Sequence, residues 1–342
     1  MTRLIRTLRG ALAVAMLGFG LALATPGPAA AQAPASPPPA APAQATEQML
    51  FQYLQGDVRG RVTIPDQRAA QLIQPEGRDF QRFWTTTMAW IGGIALGGMV
   101  AVLLLFYLTR GKIRIAAGPS GRTIERFNGF ERFVHWLTAT SFIVLGITGL
   151  NISFGRDVLM PLIGPEAFAT WSQWAKVAHN FMSFAFTLGI LLMLVIWIKD
   201  NIPGRTDARW IAEGGGLVGS GHPPARRFNA GQKIIFWAVV LGGGAIAVTG
   251  FIMMFPFQFV TTVGGMQLST QLHGIISLVM IALILAHIYI GSIGMEGAFD
   301  AMGSGKVDLN WAREHHSLWV DEVMTAGRDA KAPSGARSAG AD

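Results

Sequence analysis

The sequence predicts an all-α integral membrane protein: a four-helix bundle made of two helical hairpins, with one additional N-terminal transmembrane helix. Three observations predict it. After residue 85 come five apolar blocks, each near the roughly 20 residues that a bilayer requires. The last four blocks form an internal repeat. Four histidines fall inside those blocks, at depths where polar side chains are costly and usually functional. Composition agrees, since 51% of the 342 residues are hydrophobic and only 14% charged, too little charge to cover a soluble protein of this length.

Residues 1–33 read as a secretory signal. Arg3, Arg6 and Arg9 form its positive region, Ala11–Ala24 its apolar stretch, and Ala29-Ala30-Ala31 a small-residue cleavage site. Pro26 and Pro28 end the apolar stretch early, which favours cleavage over an uncleaved anchor. Residues 34–85 start as an Ala/Pro linker that cannot pack and continue as a polar exported segment. Spans are expected at Thr86–Leu108, Phe130–Ile152, Val177–Ile198, Ile234–Phe257 and Leu272–Met295. The extra helix thus takes residues 86–108, the bundle 109–300, and a tail 301–342.

Charge sets the orientation. Arg110–Arg132 and Lys199–Lys233 each hold six Lys/Arg and the tail after Met295 five, against two in Ser153–Lys176 and none in Gln258–Gln271. The positive-inside rule places the first three segments in the cytoplasm. A cleaved signal leaves the mature N-terminus periplasmic, and five spans return the C-terminus to the cytoplasm, as expected in a bacterial inner membrane. The net charge of +7 is accounted for by this topology, with no nucleic acid as partner. There is no cysteine, which excludes disulfides, iron–sulfur clusters and covalently attached haem in this chain.

The repeat has an offset of 101 residues: Asn128-Gly-Phe-Glu-Arg-Phe-Val-His-Trp136 aligns with Asn229-Ala-Gly-Gln-Lys-Ile-Ile-Phe-Trp237. At that offset Thr148-Gly149 meets Thr249-Gly250, and each copy is followed by a helix expected to open near a histidine, His179 or His273. Two hairpins running in parallel around a pseudo-twofold axis follow from this.

His135, His179, His273 and His287 lie in expected spans. An intramembrane histidine alone is also compatible with packing or a proton path. Spacing argues for more. His273 and His287 are 14 residues apart, about 21 Å along a helix and on nearly one face. That suits two metal centres stacked through the membrane and is too long for one zinc site. Depth pairs His179 with His273 at the outer level and His135 with His287 at the inner level. The outer two are repeat-equivalent, so a haem on the axis would take one ligand from each half. At the inner level Phe236 stands where the repeat would place a second His135. Gly146, Gly149, Gly250 and Gly274 are candidates to admit a flat porphyrin, or simply close helix packing. Arg132 and Lys176, each three residues before a histidine, are candidate propionate partners, Lys176 the stronger. His222, His315 and His316 are expected on solvated surface.

From about Arg122 to Val323 the chain resembles the gamma (cytochrome b) subunit of membrane-bound respiratory formate dehydrogenases. The resemblance rests on Glu131-Arg-Phe-Val-His-Trp136, Val177-Ala-His-Asn-Phe181, Phe228-Asn-Ala-Gly-Gln-Lys233, Gln271-Leu-His-Gly274, Leu285-Ala-His-Ile-Tyr289 and Trp311-Ala-Arg-Glu-His-His-Ser-Leu-Trp319. It implies two haem b groups on the same histidine pairs, and a quinone substrate contacting Asn229, Gly231 and Gln232 with His287 nearby. It implies as partners a molybdenum- or tungsten-containing catalytic subunit that oxidises formate, and an iron–sulfur subunit. The expected function is electron transfer from that exported iron–sulfur subunit through both haems to membrane quinone at the cytoplasmic side. The signal, the linker and the extra span depart from the shorter members and leave the docking contacts open. The alternative is the cytochrome b of a nickel–iron hydrogenase or thiosulfate reductase. Readings of another class are a transporter with histidine relays or a passive anchor. At Asn229 and Gln232 a helix cap competes with the quinone site.

Overall fold

In the protein's computed structural model, residues 75–216 and 221–329 are described. The expected signal and most of the expected linker lie outside the described residues. Among those described, five helices are long and apolar enough to cross a membrane: Asp79–Arg110, Gly129–Val158, Pro165–Trp197, Ala230–Met254 and Val263–Gly294. The second to fifth close a ring in chain order, and the first packs along the outside of the fifth. The first span faces lipid over most of its surface, with Trp90 69% and Leu108 71% exposed.

Several helices start earlier than apolarity alone predicts. The third begins at Pro165 and the fifth at Val263, so His179 and His273 lie well inside their helices. Backbone hydrogen bonding does not stop at the edge of the hydrocarbon. Gly164, at φ 82°, and Pro165 at the first helical position turn the chain and start the third helix. The first helix likewise extends back to Pro75, and Trp84 and Met88 dock it. A Cβ on Gly274 would stand 2.8 Å from each of them. Gly274, a candidate for porphyrin contact, is where the first span seats instead.

Both hairpins open with the same capping box. Asn128 Oδ1 accepts from the Glu131 N–H and Glu131 Oε2 from the Asn128 N–H, each at 3.0 Å. Asn229 and Gln232 repeat the exchange at 2.9 and 3.1 Å. Immediately before each cap stands Arg-Phe, at 126–127 and 227–228. Arg126 Nη2 donates to the Arg227 carbonyl at 2.6 Å, and Arg227 Nη2 returns a bond to the Arg126 carbonyl at 3.3 Å. The Phe127 and Phe228 rings lie 5.7 Å apart. The exchange is reciprocal, so the pseudo-twofold axis passes between these two segments. Arg227 further pairs with Glu131 at 2.6 Å and Asp200 at 3.0 Å, while Trp197 Nε1 donates to Glu131 at 2.9 Å. The basic ends of three spans are tied together there.

The residues after 301, expected as a tail, fold against this face through residue 329. Thr123–Glu125 (β1) pairs antiparallel with Lys306–Asp308 (β2), a two-stranded ribbon among described residues that are otherwise mostly helical. Helices Leu309–His315 and Ser317–Asp329 follow it. They bring Trp311 and Trp319 against the Arg126 guanidinium, 5.6 and 5.1 Å from the ring centres. Burial and the neighbouring Arg227 push Arg126 down to about 9. His222 is exposed as expected. His315 and His316 are not: they are 8% and 0% exposed, packed on Trp311. The indoles on either side of them in sequence, Trp311 and Trp319, carry them inside.

Burial holds His315 at about 4 and His316 well below its usual value. Both folded values lie under the unfolded one, so the unfolded chain binds more protons on acidification. The stability they contribute is complete above pH 6.5 and is lost as pH falls toward 4. His315 alone should cost about 2 kcal/mol by pH 5. Tryptic cleavage at Arg313 should therefore accelerate between pH 7 and pH 5, with no matching change at the span loops.

Candidate functional site

Four imidazoles, two at each of two levels, form the polar interior of the bundle. The His179 and His273 ring centres are 6.3 Å apart, and so are those of His135 and His287. These are the pairs that depth indicated. A metal midway between two imidazoles, bonded at about 2.0 Å to each, sets their ring centres about 6.3 Å apart. Each pair would leave room for one iron between its rings, a separation that ring packing also gives, as for His222 and His315 at 6.2 Å.

At the outer level the tautomer follows from the neighbours. His273 Nδ1 lies 3.0 Å from the Ile246 carbonyl and 3.1 Å from Thr249 Oγ1. A carbonyl only accepts, so Nδ1 carries the proton. Thr249 gives its own hydrogen to the Ala245 carbonyl at 2.7 Å, leaving an oxygen lone pair for the imidazole. His179 is held in the same way by Thr148, at 2.9 Å, and by the Leu145 carbonyl. Thr148 donates to Val144 at 2.7 Å. Each Nε2 is then an unprotonated donor atom available to iron, and the residues fit a haem. Gly149 and Gly250 permit the seat: a Cβ on either would stand 3.3 Å from Cε1 of the adjacent histidine. Lys176, exposed one turn before His179, is close enough to act on both rings.

The inner level is built otherwise. His135 Nδ1 is buried without a hydrogen-bond partner. Phe236 and Met193, which stand where the repeat that superposes His179 on His273 would place counterparts of His135 and His287, are both core residues. The repeat offers two equivalent sets of positions at this depth, and apolar core residues take one of them. Arg132 donates to the Gly303 carbonyl at 2.7 Å, which commits it to the folded C-terminal segment. Gly146 has the Ile281 side chain 3.7 Å from its Cβ position, ordinary helix packing.

Asn229 and Gln232 stand at the basic face as a cap. The box uses the two side-chain carbonyls and leaves both amide NH2 groups without a protein partner among the described residues. Gly231 does not face open space. The Trp210 indole, from helix Arg205–Ala212, lies 3.1 Å from its Cβ position. Asp207 of that helix pairs with Lys233 at 2.8 Å. Sequence reasoning had the paired Thr-Gly dipeptides without a role for the threonines. It missed Arg126 and Arg227, although Arg-Phe-Asn occurs twice at the repeat offset.

Spans, bundle and paired imidazoles are those of a multi-pass membrane cytochrome b. Residues 126–305 match the family model of prokaryotic cytochrome b561. The chain is 30% identical over 217 residues to the nitrate-inducible formate dehydrogenase cytochrome b556(Fdn) subunit of Escherichia coli K12, covering 60% of this chain and 94% of that one. It is 29% identical over 204 residues to the formate dehydrogenase cytochrome b556(fdo) subunit of the same strain, covering 59% and 93%. For the formate dehydrogenase cytochrome b556 subunit of Haemophilus influenzae the identity is 27% over 199 residues, covering 56% and 80%. The chain belongs to the prokaryotic cytochrome b561 family, in its group of formate dehydrogenase cytochrome b556 subunits. The cofactor of this family is haem b.

Gly149→Val and Gly250→Val should each push a histidine ring out of its seat and remove part of the b-type absorbance. Gly146→Val, with ordinary contact distances, should keep it. Reduced-minus-oxidised spectra of the three variants check this.

Proposed function

We propose that the chain carries electrons through a bacterial inner membrane as the cytochrome b subunit of a formate dehydrogenase complex, with two b haems. His179 and His273 hold the outer one, His135 and His287 the inner one. The observation that carries this reading is the gathering of four intramembrane imidazoles into two pairs at two levels, each with room for one iron between its rings. About 21 Å of the fifth helix lies between the two levels, so together they span the apolar interior. When bound, a haem supplies one-electron exchange at its iron. The chain's own part is to hold the imidazoles in their tautomers and keep water away.

The names of the relatives support a formate dehydrogenase as the complex. Formate is oxidised on a molybdenum- or tungsten-containing partner, and an iron–sulfur subunit on the outer side passes the electrons on. The excess of Lys/Arg on the opposite face supports an inward C-terminus and a periplasmic mature N-terminus. On that basic face the electrons leave to membrane quinone beside Asn229, Gly231 and Gln232. Each quinone takes up two electrons and two protons, so its carbonyls need donors at the membrane boundary. The two free amide NH2 groups supply them, already oriented by the capping box, with the Trp210 indole alongside. Cap and quinone contact are therefore compatible uses of the same two residues.

Pyridine haemochrome analysis should give two protohaems per chain. His179→Ala should remove one spectral component and His135→Ala the other. If both substitutions erased the same component, the assignment of ligands to levels would be wrong.

Asn229→Asp keeps a capping oxygen and loses the amide donor. Haem content and reduction by the donor should be unchanged. Reoxidation by excess quinone in stopped flow should slow by about tenfold, the worth of one hydrogen bond of about 1.5 kcal/mol. Wild-type reoxidation in this variant would sink the quinone assignment.

A further inference from the structure

The two histidine pairs are seated differently, and the difference acts on the ligand atoms themselves. Both outer rings have a protonated Nδ1 that donates to a threonine oxygen and a backbone carbonyl. His135 Nδ1 donates to nothing, and no hydrogen bond reaches the His287 ring among the described residues. A hydrogen bond from the remote N–H makes an imidazole a more basic metal ligand. A more basic ligand favours the oxidised, more positive iron, and hydrogen bonding around axial ligands is an established lever on haem potential. Both outer ligands carry this bond, so the effect is applied twice on one side and is missing on the other.

Resting on the two-haem reading above, we propose that Thr148 and Thr249 hold the outer haem at a lower potential than the inner one, and so bias electrons toward the quinone face. The threonines are positioning residues: they touch the axial imidazoles and neither substrate nor iron. Their hydroxyls are aimed by their own helices, through the bonds to Val144 and Ala245, so their acceptor lone pairs have no competing donor in the core. The exposed Lys176 acts in the opposite sense, since a nearby positive charge favours the reduced iron. Its ammonium is open to solvent and screening, whereas the hydroxyls contact the ring nitrogen directly. The bias belongs to the repeat. Thr148-Gly149 and Thr249-Gly250 are copies of one seat, and only the outer level has both copies occupied by histidine partners.

The test is a spectroelectrochemical titration of the purified, haem-loaded complex, with the outer component identified as the one missing from His179→Ala. Thr148→Val and Thr249→Val keep the shape of the side chain and remove the hydroxyl. Each should raise the outer component alone by up to about tenfold in its reduction equilibrium, or about 59 mV for one electron. The carbonyl bonds remain, so a larger shift is not expected. Thr148→Ser and Thr249→Ser retain the oxygen and should titrate with the wild type, which separates the hydrogen bond from packing. Thr138→Val is the control. Thr138 is equally buried and lies one turn after His135, and its hydroxyl bonds the Val134 carbonyl and no imidazole, so the outer component should not move. Unsubstituted protein provides a reading that needs no variant: the outer component should titrate below the inner. Unmoved midpoints in both valine variants, or a reversed order in the unsubstituted protein, would overturn the proposal. A single haem per chain would overturn the two-haem reading and this inference with it.

Discussion

An imidazole placed in the middle of a bilayer has to put its N–H somewhere, and much of the bundle follows from that requirement. Without water, an unpaired polar group in hydrocarbon costs several kcal/mol. The outer histidines meet the demand with one local device. A threonine spends its own hydrogen on its helix and turns an oxygen toward the ring, and the following glycine leaves the ring room to lie against the backbone. The device points the second nitrogen of each ring toward its partner. Tautomer, ring position and spacing are therefore set together.

The pseudo-twofold axis multiplies that device at the outer level and is broken at the inner one. Two equivalent inner places would exist if the repeat were exact. Met193 and Phe236, both core residues, stand at one set of positions, and His135 and His287 take the other. The bundle thereby carries one site on its axis and one displaced from it, stacked along the fifth helix. A symmetric inner level would have placed four imidazoles at one depth, at twice the polar cost and with no single position for one iron.

On the basic face the symmetry is kept by the backbone and altered by chemistry. Both hairpins have the same cap, but Glu131 stands in one box where Gln232 stands in the other. The carboxylate is consumed by Arg227 and Trp197, which lock the two hairpins together. The neutral amide keeps its NH2 free at the water–lipid boundary. One copy is drawn into an ion pair and the other is not, through a single change of functional group.

The sequence by itself determined the membrane class, the five spans, the hairpin repeat and the grouping of histidines by depth. These depend on composition along one helix, on its fixed rise per residue and on an offset that can be counted. The family was legible too, because its short segments occur in order. Span ends were less so, since hydropathy marks the hydrocarbon and not the end of backbone hydrogen bonding, as Pro165 and Val263 show. Other features were decided only by tertiary structure. Gly274 receives the first span, because which side of a glycine a neighbour occupies is set by packing between helices. His315 and His316 are core residues of the C-terminal cap, because their burial depends on Trp311 meeting Arg126 across most of the bundle's sequence length. The roles of Thr148 and Thr249 also waited for the fold: a hydroxyl in an apolar helix usually answers its own backbone, and only the neighbouring helix brings an imidazole to its remaining lone pair.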